Sequence, residues 1–234
     1  MLEPDPTARV PASEGLPTAG SSPHALQILS TEHWSLLAAR SLVYTEALSR
    51  TSIFVAALTG SVVALALVAQ ATDFGSGFVA FALVLLPVVY FLGIVTVARL
   101  GQVNLEDATW VQGMNRIRHA YLELAPELEP YFVTSHYDDD RGVLQSSVAM
   151  REWPPWTQAF VAIPGVVAVI DSVVAGAIAG IAAIGVDLGT ASAVASGAAL
   201  FVLSLGGFTV WGRRLFARGR RQMVPLFPTP TDAG

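Results

Sequence analysis

One apolar run limits, more than any other feature, what this chain can fold into. Residues 78–98 contain no charged side chain, and the sequence then passes Arg99 into a charged segment with no strong helix breaker before Pro126. A helix of about 20 apolar residues is long enough to cross a hydrocarbon core of about 30 Å. We therefore predict a single helix from Ser76 to Ala125, half of it in a bilayer and half in water.

Three further apolar stretches complete the pattern. Hydrophobic residues make up 53% of the chain and charged residues 13%, a balance typical of integral membrane proteins. We predict an all-α fold with four transmembrane helices, joined pairwise by short turns. Their expected ranges are 51–71, 77–98, 157–186 and 191–211, the last two forming a second hairpin within 157–212.

Outside the membrane, spans one and two are predicted to extend into an antiparallel cytoplasmic hairpin within residues 29–125. We expect residues 1–28, rich in proline, to be disordered and Ser30 to cap the first helix. Alternating steps of three and four residues indicate a coiled-coil seam on each stem. The expected seams are Trp34, Leu37, Ser41, Tyr44 and Leu48 on the first stem, and Leu100, Val103, Asp107, Trp110, Met114, Ile117, Tyr121 and Leu124 on the second.

The arginines predict the orientation. All 13 basic residues are arginines, and they lie in the tails, the stems or the loop 126–156, whereas the two short turns carry Asp73 and Asp187. By the positive-inside rule, both termini and that loop are cytoplasmic. Tryptophans 153, 156 and 211 would mark the same interface, and Asp138 to Asp140 would cap a short helix over 141–152. The residue usage favours a bacterial plasma membrane.

Asp171, near the middle of span three, is the most informative single residue. An ionisable group at that depth costs about 2.5 to 3.5 kcal/mol, so it marks a functional position by default. It could be a proton or cation site lining a pore. Alternatively, it could be a neutral packing residue or hydrogen-bonded to a neighbour such as Ser204.

Small residues on spans three and four indicate close helix packing. Gly176 and Gly180 form a GxxxG motif, and Ser192 and Ser196 have the same spacing. Small side chains let helix backbones approach closely in lipid. The contact could build an oligomer or could lie within one protomer.

A basic cluster opens the tail 213–234, which is Arg-rich and then Pro-rich. It could anchor the topology or bind anionic lipid head groups. Its members are Arg213, Arg214, Arg218, Arg220 and Arg221.

On the second stem, Asp107 places a charge on an apolar seam. Counting from the membrane along both stems brings it near Arg40 and Tyr44. Polar residues on coiled-coil seams fix the register of the helices. We therefore predict that this group sets the register of the hairpin.

No catalytic arrangement is evident. The chain has no cysteine, no Gly-rich phosphate loop, no metalloprotease motif and no Ser-His-Asp set. His119 with Glu123, and His136 with the aspartates at 138–140, could bind a divalent metal, but Ala149 stands where a Ca²⁺ loop needs its glutamate, and a pair such as His119 and Glu123 is more often a solvated contact. We expect no enzymatic activity, no cofactor, no metal and no nucleic-acid partner.

The segments Trp110 to His119, Ala125 to Glu127 and Pro130 to Phe132 resemble a group of bacterial multi-pass membrane proteins common in actinobacteria, for which no activity is implied. The first hairpin with its stems is also similar in outline to the two-span SLATT membrane effectors of bacterial conflict systems.

Three hypotheses follow. The first is a non-enzymatic accessory or scaffold subunit that assembles with itself or with another membrane protein, through the hairpin and the small-residue faces. The second is a homo-oligomeric pore with Asp171 at the conduit. The third is a proton-coupled carrier.

Overall fold

The computed structural model describes residues 23–146 and 163–230, and 88% of them are helical, with no strand among them. The helices are α1 (Pro23–Thr72), α2 (Ser76–Leu124), a 3-10 helix (Pro126–Tyr131), α3 (Asp140–Ser146), α4 (Ile163–Gly185) and α5 (Gly189–Gln222). Four of them, α1, α2, α4 and α5, are long and apolar enough to cross a membrane. Trp153 and Trp156 lie outside the described residues, as does most of the predicted disordered segment.

The long helix α2 confirms the prediction of one uninterrupted element. It contains Pro87 without ending there, and it ends at Leu124, immediately before Ala125 and Pro126. A proline disfavours the helical conformation of the residue that precedes it, which accounts for the stop at Ala125.

Helix α1 begins earlier than the sequence suggested. It starts at Pro23, so Ser30 lies inside the helix and caps nothing. Proline is favoured in the first helical turn, because its missing N–H would have no partner there. The prolines of the amino-terminal segment predict disorder, but one of them, Pro23, is the first residue of the helix.

Short turns join the paired helices. Asp73 and Phe74 have φ values of 47° and 57°, and Asp187 has a φ of 54°, all in the left-handed region. In the second turn the Leu188 N–H donates to the carbonyl of Ala183 at 3.1 Å, which satisfies an otherwise free carbonyl at the end of α4.

The described chain divides into two compact units. The first contains residues 23–37, 111–146 and 224–230, and the second contains 38–110 and 163–223. The core of the second unit is built by α1, α2 and α4. It includes Phe54, Ala82, Leu86, Val97, Leu100 and Val167.

The predicted seam of α1 is displaced by one residue. In the second unit, Ala47 and Phe54 are 3% and 0% exposed, whereas Leu48 is 57% exposed. Ser41 and Tyr44 are exposed too, as are Trp34 and Leu37 in the first unit. The predicted seam follows the larger apolar side chains, whereas the face toward α2 carries the smaller Ala47 together with Arg40 and Glu46. On α2, by contrast, the expected seam residues Leu100, Val103, Met114 and Ile117 are all buried.

Candidate functional site

In the second unit, an ion pair joins α1 to α2. Arg40 Nε donates to Asp107 Oδ1 at 2.6 Å and Arg40 Nη2 to Asp107 Oδ2 at 3.3 Å. The Tyr44 hydroxyl lies 3.5 Å from the same carboxylate, at the limit of a hydrogen bond. The three residues that the sequence placed side by side therefore meet, while their role in setting the register stays a prediction.

A second network, which the sequence reasoning missed, lies close by. Arg99 donates from Nε and Nη2 to the two carboxylate oxygens of Glu46, each at 2.9 Å, and from Nη1 to Glu106 at 2.7 Å. The hydrogen bonds from Arg99, and then from Arg50, lower the pKa of Glu46 to about 2. Arg99 directly follows the apolar run 78–98, and Glu46 lies one helical turn before Arg50, the charge that precedes the run 51–71. These matching positions at the ends of two adjacent spans could have predicted the pairing.

Because the side chains of Arg40 and Glu46 point toward α2, the opposite, outer face of α1 carries no charge in this stretch. Between residues 41 and 49 that face carries Leu42, 72% exposed, and Leu48, 57% exposed, together with Tyr44. The other exposed side chains between them are Ser41, Thr45 and Ser49. An exposed apolar surface without charge is typical of a surface that another molecule covers.

Asp171 is buried where α4 meets α2. Its side chain is 0% exposed. Neither carboxyl oxygen has a hydrogen-bond partner within residues 23–146 and 163–230. A Cβ added to Gly93 of α2 would overlap the carboxyl group, so only glycine leaves room for it at that position. The aspartate thus packs against the main chain of α2.

Three hydroxyl groups form a hydrogen-bonded set that begins at Ser172, the residue after Asp171. Ser172 Oγ lies 2.7 Å from the carbonyl of Ala168 and 3.2 Å from Ser204 Oγ, which lies 3.1 Å from the Tyr90 hydroxyl. The alternative bond between Asp171 and Ser204 is therefore not formed. Tyr90 and Ser204 also line a groove of about 350 Å³ between α2 and α5.

The small residues of α4 and α5 pack against each other within the chain. A Cβ at Gly176 would lie 2.8 Å from the carbonyl oxygen of Gly197, and one at Gly180 would lie 3.4 Å from that of Ala193. Ser196 Oγ lies 3.4 Å from the carbonyl of Ala179. The sequence left open whether this packing builds an oligomer or lies within one protomer, and in the structure these residues contact each other inside one protomer. Ser192 takes no part in this contact and is exposed.

The basic cluster of the tail is helical. Helix α5 continues past the apolar segment to Gln222, so the arginines lie on its last turns. Their side chains are exposed, as anchoring at a lipid surface requires. They are Arg213, Arg214, Arg218, Arg220 and Arg221.

In the first unit, Asp138 binds the carboxy-terminal segment. Its carboxylate is 0% exposed and accepts bonds from Arg116 Nε at 2.7 Å and from the Leu226 and Phe227 N–H groups at 2.9 and 2.7 Å. The Asp138 N–H donates to the Phe227 carbonyl at 3.1 Å. A buried carboxylate is thereby fully partnered, as burial requires.

Asp139 extends this attachment. Its carboxylate accepts bonds from the N–H and hydroxyl groups of Thr229, and from the N–H of Gly142 in the first turn of α3. Residues 225, 228 and 230 are prolines without an N–H. Every N–H between residues 225 and 230 therefore donates to one of these two aspartates. Nothing in the sequence distinguished this segment from a Pro-rich tail.

Two histidines lie beside the attached segment. The ring of His119 stacks on Phe227 with centroids 3.9 Å apart, and its centroid lies 5.7 Å from that of His136. Burial, and then the proximity of His119, lower the pKa of His136. Within the described ranges, no three side chains of the metal-binding types converge on one point.

Comparison of the chain with protein-family models, with curated proteins and with solved structures finds no match.

Proposed function

We propose that this chain is a multi-pass membrane protein that assembles with further copies of itself through the outer face of α1, as a non-enzymatic scaffold or accessory subunit. The four apolar helices cross the bilayer of a bacterial plasma membrane. Both termini are cytoplasmic, since the basic residues lie outside the two short turns. The exposed arginines of α5 contact lipid head groups there.

The observation that carries the proposal is the outer face of α1 between residues 41 and 49. The charged side chains within and beside this stretch are all paired: Arg40 binds Asp107, Glu46 binds Arg99, and the exposed Arg50 binds Glu46. What remains outside is Leu42, Leu48 and uncharged polar groups. A surface of this kind, outside the predicted span, is better suited to a protein partner than to water.

The spacing of this face favours a second copy over an unrelated partner. Ser41, Tyr44 and Leu48 follow the three-four steps of a coiled-coil seam, and all three are exposed, although the Tyr44 hydroxyl reaches Asp107 of α2. Such a seam is self-complementary, because two identical helices related by a two-fold axis present the same residues to each other. This seam carries no charged residue, so two copies would not bring like charges together across the two-fold axis.

Disulfide crosslinking in native membranes tests the proposal directly, because the chain has no cysteine of its own. Single variants Ser41→Cys and Leu48→Cys should give an oxidised dimer, since their Cα atoms would approach to about 6 Å across the interface. The matched control is Ala47→Cys, whose side chain is 3% exposed and faces the core of its own chain.

The pattern along the helix decides the outcome. Dimers at positions 41 and 48 but not at 47 would support assembly through this face. Equal crosslinking at all three positions would indicate random collision, and none at any position would show that the face contacts lipid or another protein. Native mass spectrometry in nanodiscs should independently give a multiple of the chain mass.

The pore and carrier hypotheses have less support. A conduit between subunits needs its polar groups on an outer face, whereas Asp171 is buried within the chain. The small residues of α4 and α5 are likewise in contact with each other. The resemblance to the actinobacterial group and to SLATT effectors is compatible with a scaffold, and it adds no activity.

A further inference from the structure

Asp171 differs from the other fully buried carboxylate of the described chain. Asp138 is also 0% exposed, but it has an arginine and two backbone N–H groups as partners. Asp171 has none within residues 23–146 and 163–230. The same protein therefore partners one buried carboxylate completely and leaves the other without a donor.

The space around the carboxyl group is shaped by a glycine. A Cβ at Gly93 would collide with both carboxyl oxygens of Asp171, so the backbone of α2 lies directly against them. A smaller residue at 171 would leave a void there, and a larger one at 93 would expel the carboxyl group. The contact holds the acid in place without neutralising it.

No side chain of the surrounding helices can supply a positive charge. Residues 51–72, 76–98 and 189–212 contain no Asp, Glu, Lys, Arg or His, and Tyr90 is their single titratable group. The Tyr90 hydroxyl is already bonded to Ser204. An ionised carboxylate without a partner is strongly disfavoured in an apolar interior.

We propose that Asp171 is a binding site for one small monovalent cation, either a proton or Na⁺, taken up from water at the contact between α4 and α2. A proton would add to one carboxyl oxygen and form an O–H group. Sodium would bind the carboxylate oxygens directly. The site stands independently of the α1 interface, because Asp171 lies inside a single chain.

The neighbouring hydroxyl groups offer a route for the cation. Ser172 Oγ lies within hydrogen-bonding distance of Ser204 Oγ, which lies within hydrogen-bonding distance of the Tyr90 hydroxyl. Ser204 and Tyr90 line the groove between α2 and α5. Hydroxyl oxygens can pass a proton or coordinate sodium. The groove therefore exposes the far end of a set of hydroxyl groups that begins at Ser172, the residue that follows Asp171.

Labelling with a hydrophobic carbodiimide tests this inference on the full chain in phosphatidylethanolamine and phosphatidylglycerol vesicles. The carboxylic acid adds through oxygen to the central carbodiimide carbon while its proton moves to nitrogen, and rearrangement gives a stable N-acylurea. Only the protonated acid reacts, so mass spectrometry of the labelled peptide reports occupancy by a proton. Asp171→Asn identifies the site, and Asp73→Asn, in the exposed turn, is the matched control.

Proton binding predicts labelling at Asp171 that falls about tenfold per pH unit above its midpoint, because a single group titrates. Sodium binding predicts that sodium chloride, but not choline chloride, protects Asp171 at constant pH. Either result supports the site. Labelling of Asp171 no stronger than that of Asp73 at every pH, or labelling that responds to neither pH nor sodium, would overturn it.

Discussion

Replacing Asp138 with alanine should release the carboxy-terminal segment from the first unit. The carboxylate accepts the N–H groups of Leu226 and Phe227 and the guanidinium of Arg116, and it is fully buried. Alanine offers no acceptor, so both backbone N–H groups would lose their partner. The segment would then detach and hydrate them.

The size of the effect follows from these bonds. A hydrogen bond to a charged group contributes about 1.5 kcal/mol at the low end, so the two N–H bonds together contribute about 3 kcal/mol. The Arg116 bond adds little to this sum, because its side chain is 36% exposed and can bind water instead. A loss of about 3 kcal/mol corresponds to opening that is about 100-fold more frequent.

Amide hydrogen exchange measured by mass spectrometry reads this opening directly. The segment from 225 to 230 has N–H groups only at 226, 227 and 229, and all three donate to Asp138 or Asp139. Exchange in this peptide should accelerate about 100-fold in Asp138→Ala and less in Asp138→Asn, which keeps one carbonyl acceptor.

Glu127→Gln changes an exposed acid of the same unit and should leave the exchange of this peptide unaltered. If Asp138→Ala exchanges at the wild-type rate, the two N–H bonds do not hold the segment. If α4 and α5 accelerate equally, the variant has unfolded as a whole, and the local argument fails.

Three further predictions concern packing and pH. Gly176→Ala should lower the unfolding free energy by about 1 to 3 kcal/mol, because the added methyl group overpacks against α5. Thermal unfolding in detergent measures this loss. In the control Gly206→Ala, the methyl group meets no neighbour and should not destabilise the protein. Arg99 lowers the pKa of Glu46 to about 2, so the stability that Glu46 contributes should be complete above pH 4.5 and should be lost as the pH falls toward 2. Arg99→Gln should raise the pKa of Glu46, which a carbon NMR titration would measure. Burial lowers the pKa of His136, so this histidine binds a proton more readily in the unfolded chain. The stability of the first unit should therefore fall as the pH drops below 6.5. His136→Gln should reduce this pH dependence, measured by amide hydrogen exchange.

The course of the helices could be predicted from the sequence because it depends on local signals. The apolar run 78–98 and Pro126 are enough to define α2, and the second turn follows from Asp187 together with Gly189. The rotation of a helix about its axis is a weaker signal. On α1, the residues that face α2 differ from the predicted seam by a single position, because the pairs Arg40–Asp107 and Glu46–Arg99 turn that side of the helix toward α2. The first pair could be predicted from the sequence, and the second was missed.

The attachment of the tail could not be predicted for a different reason. Asp138 and Leu226 are 88 positions apart, and their bond uses the main chain of the tail. A main-chain N–H is the same for nearly every residue type, so the sequence carries no trace of it. The sequence identifies Asp171 as unusual because it is an acid within an apolar span. That its carboxyl group has no hydrogen-bond partner among the described residues could be seen only in the three-dimensional structure.

The contact between Gly93 and Asp171 restricts the order in which substitutions can accumulate in descendants of this chain. Alanine at position 93 collides with the aspartate, so it becomes acceptable only after position 171 has already lost its carboxyl group. If alanine at position 93 came first, its methyl group and the carboxyl group of Asp171 would have to occupy the same space. The glycine is therefore tied to the acid for as long as the acid is kept, and its loss in a lineage would record that Asp171 had gone first.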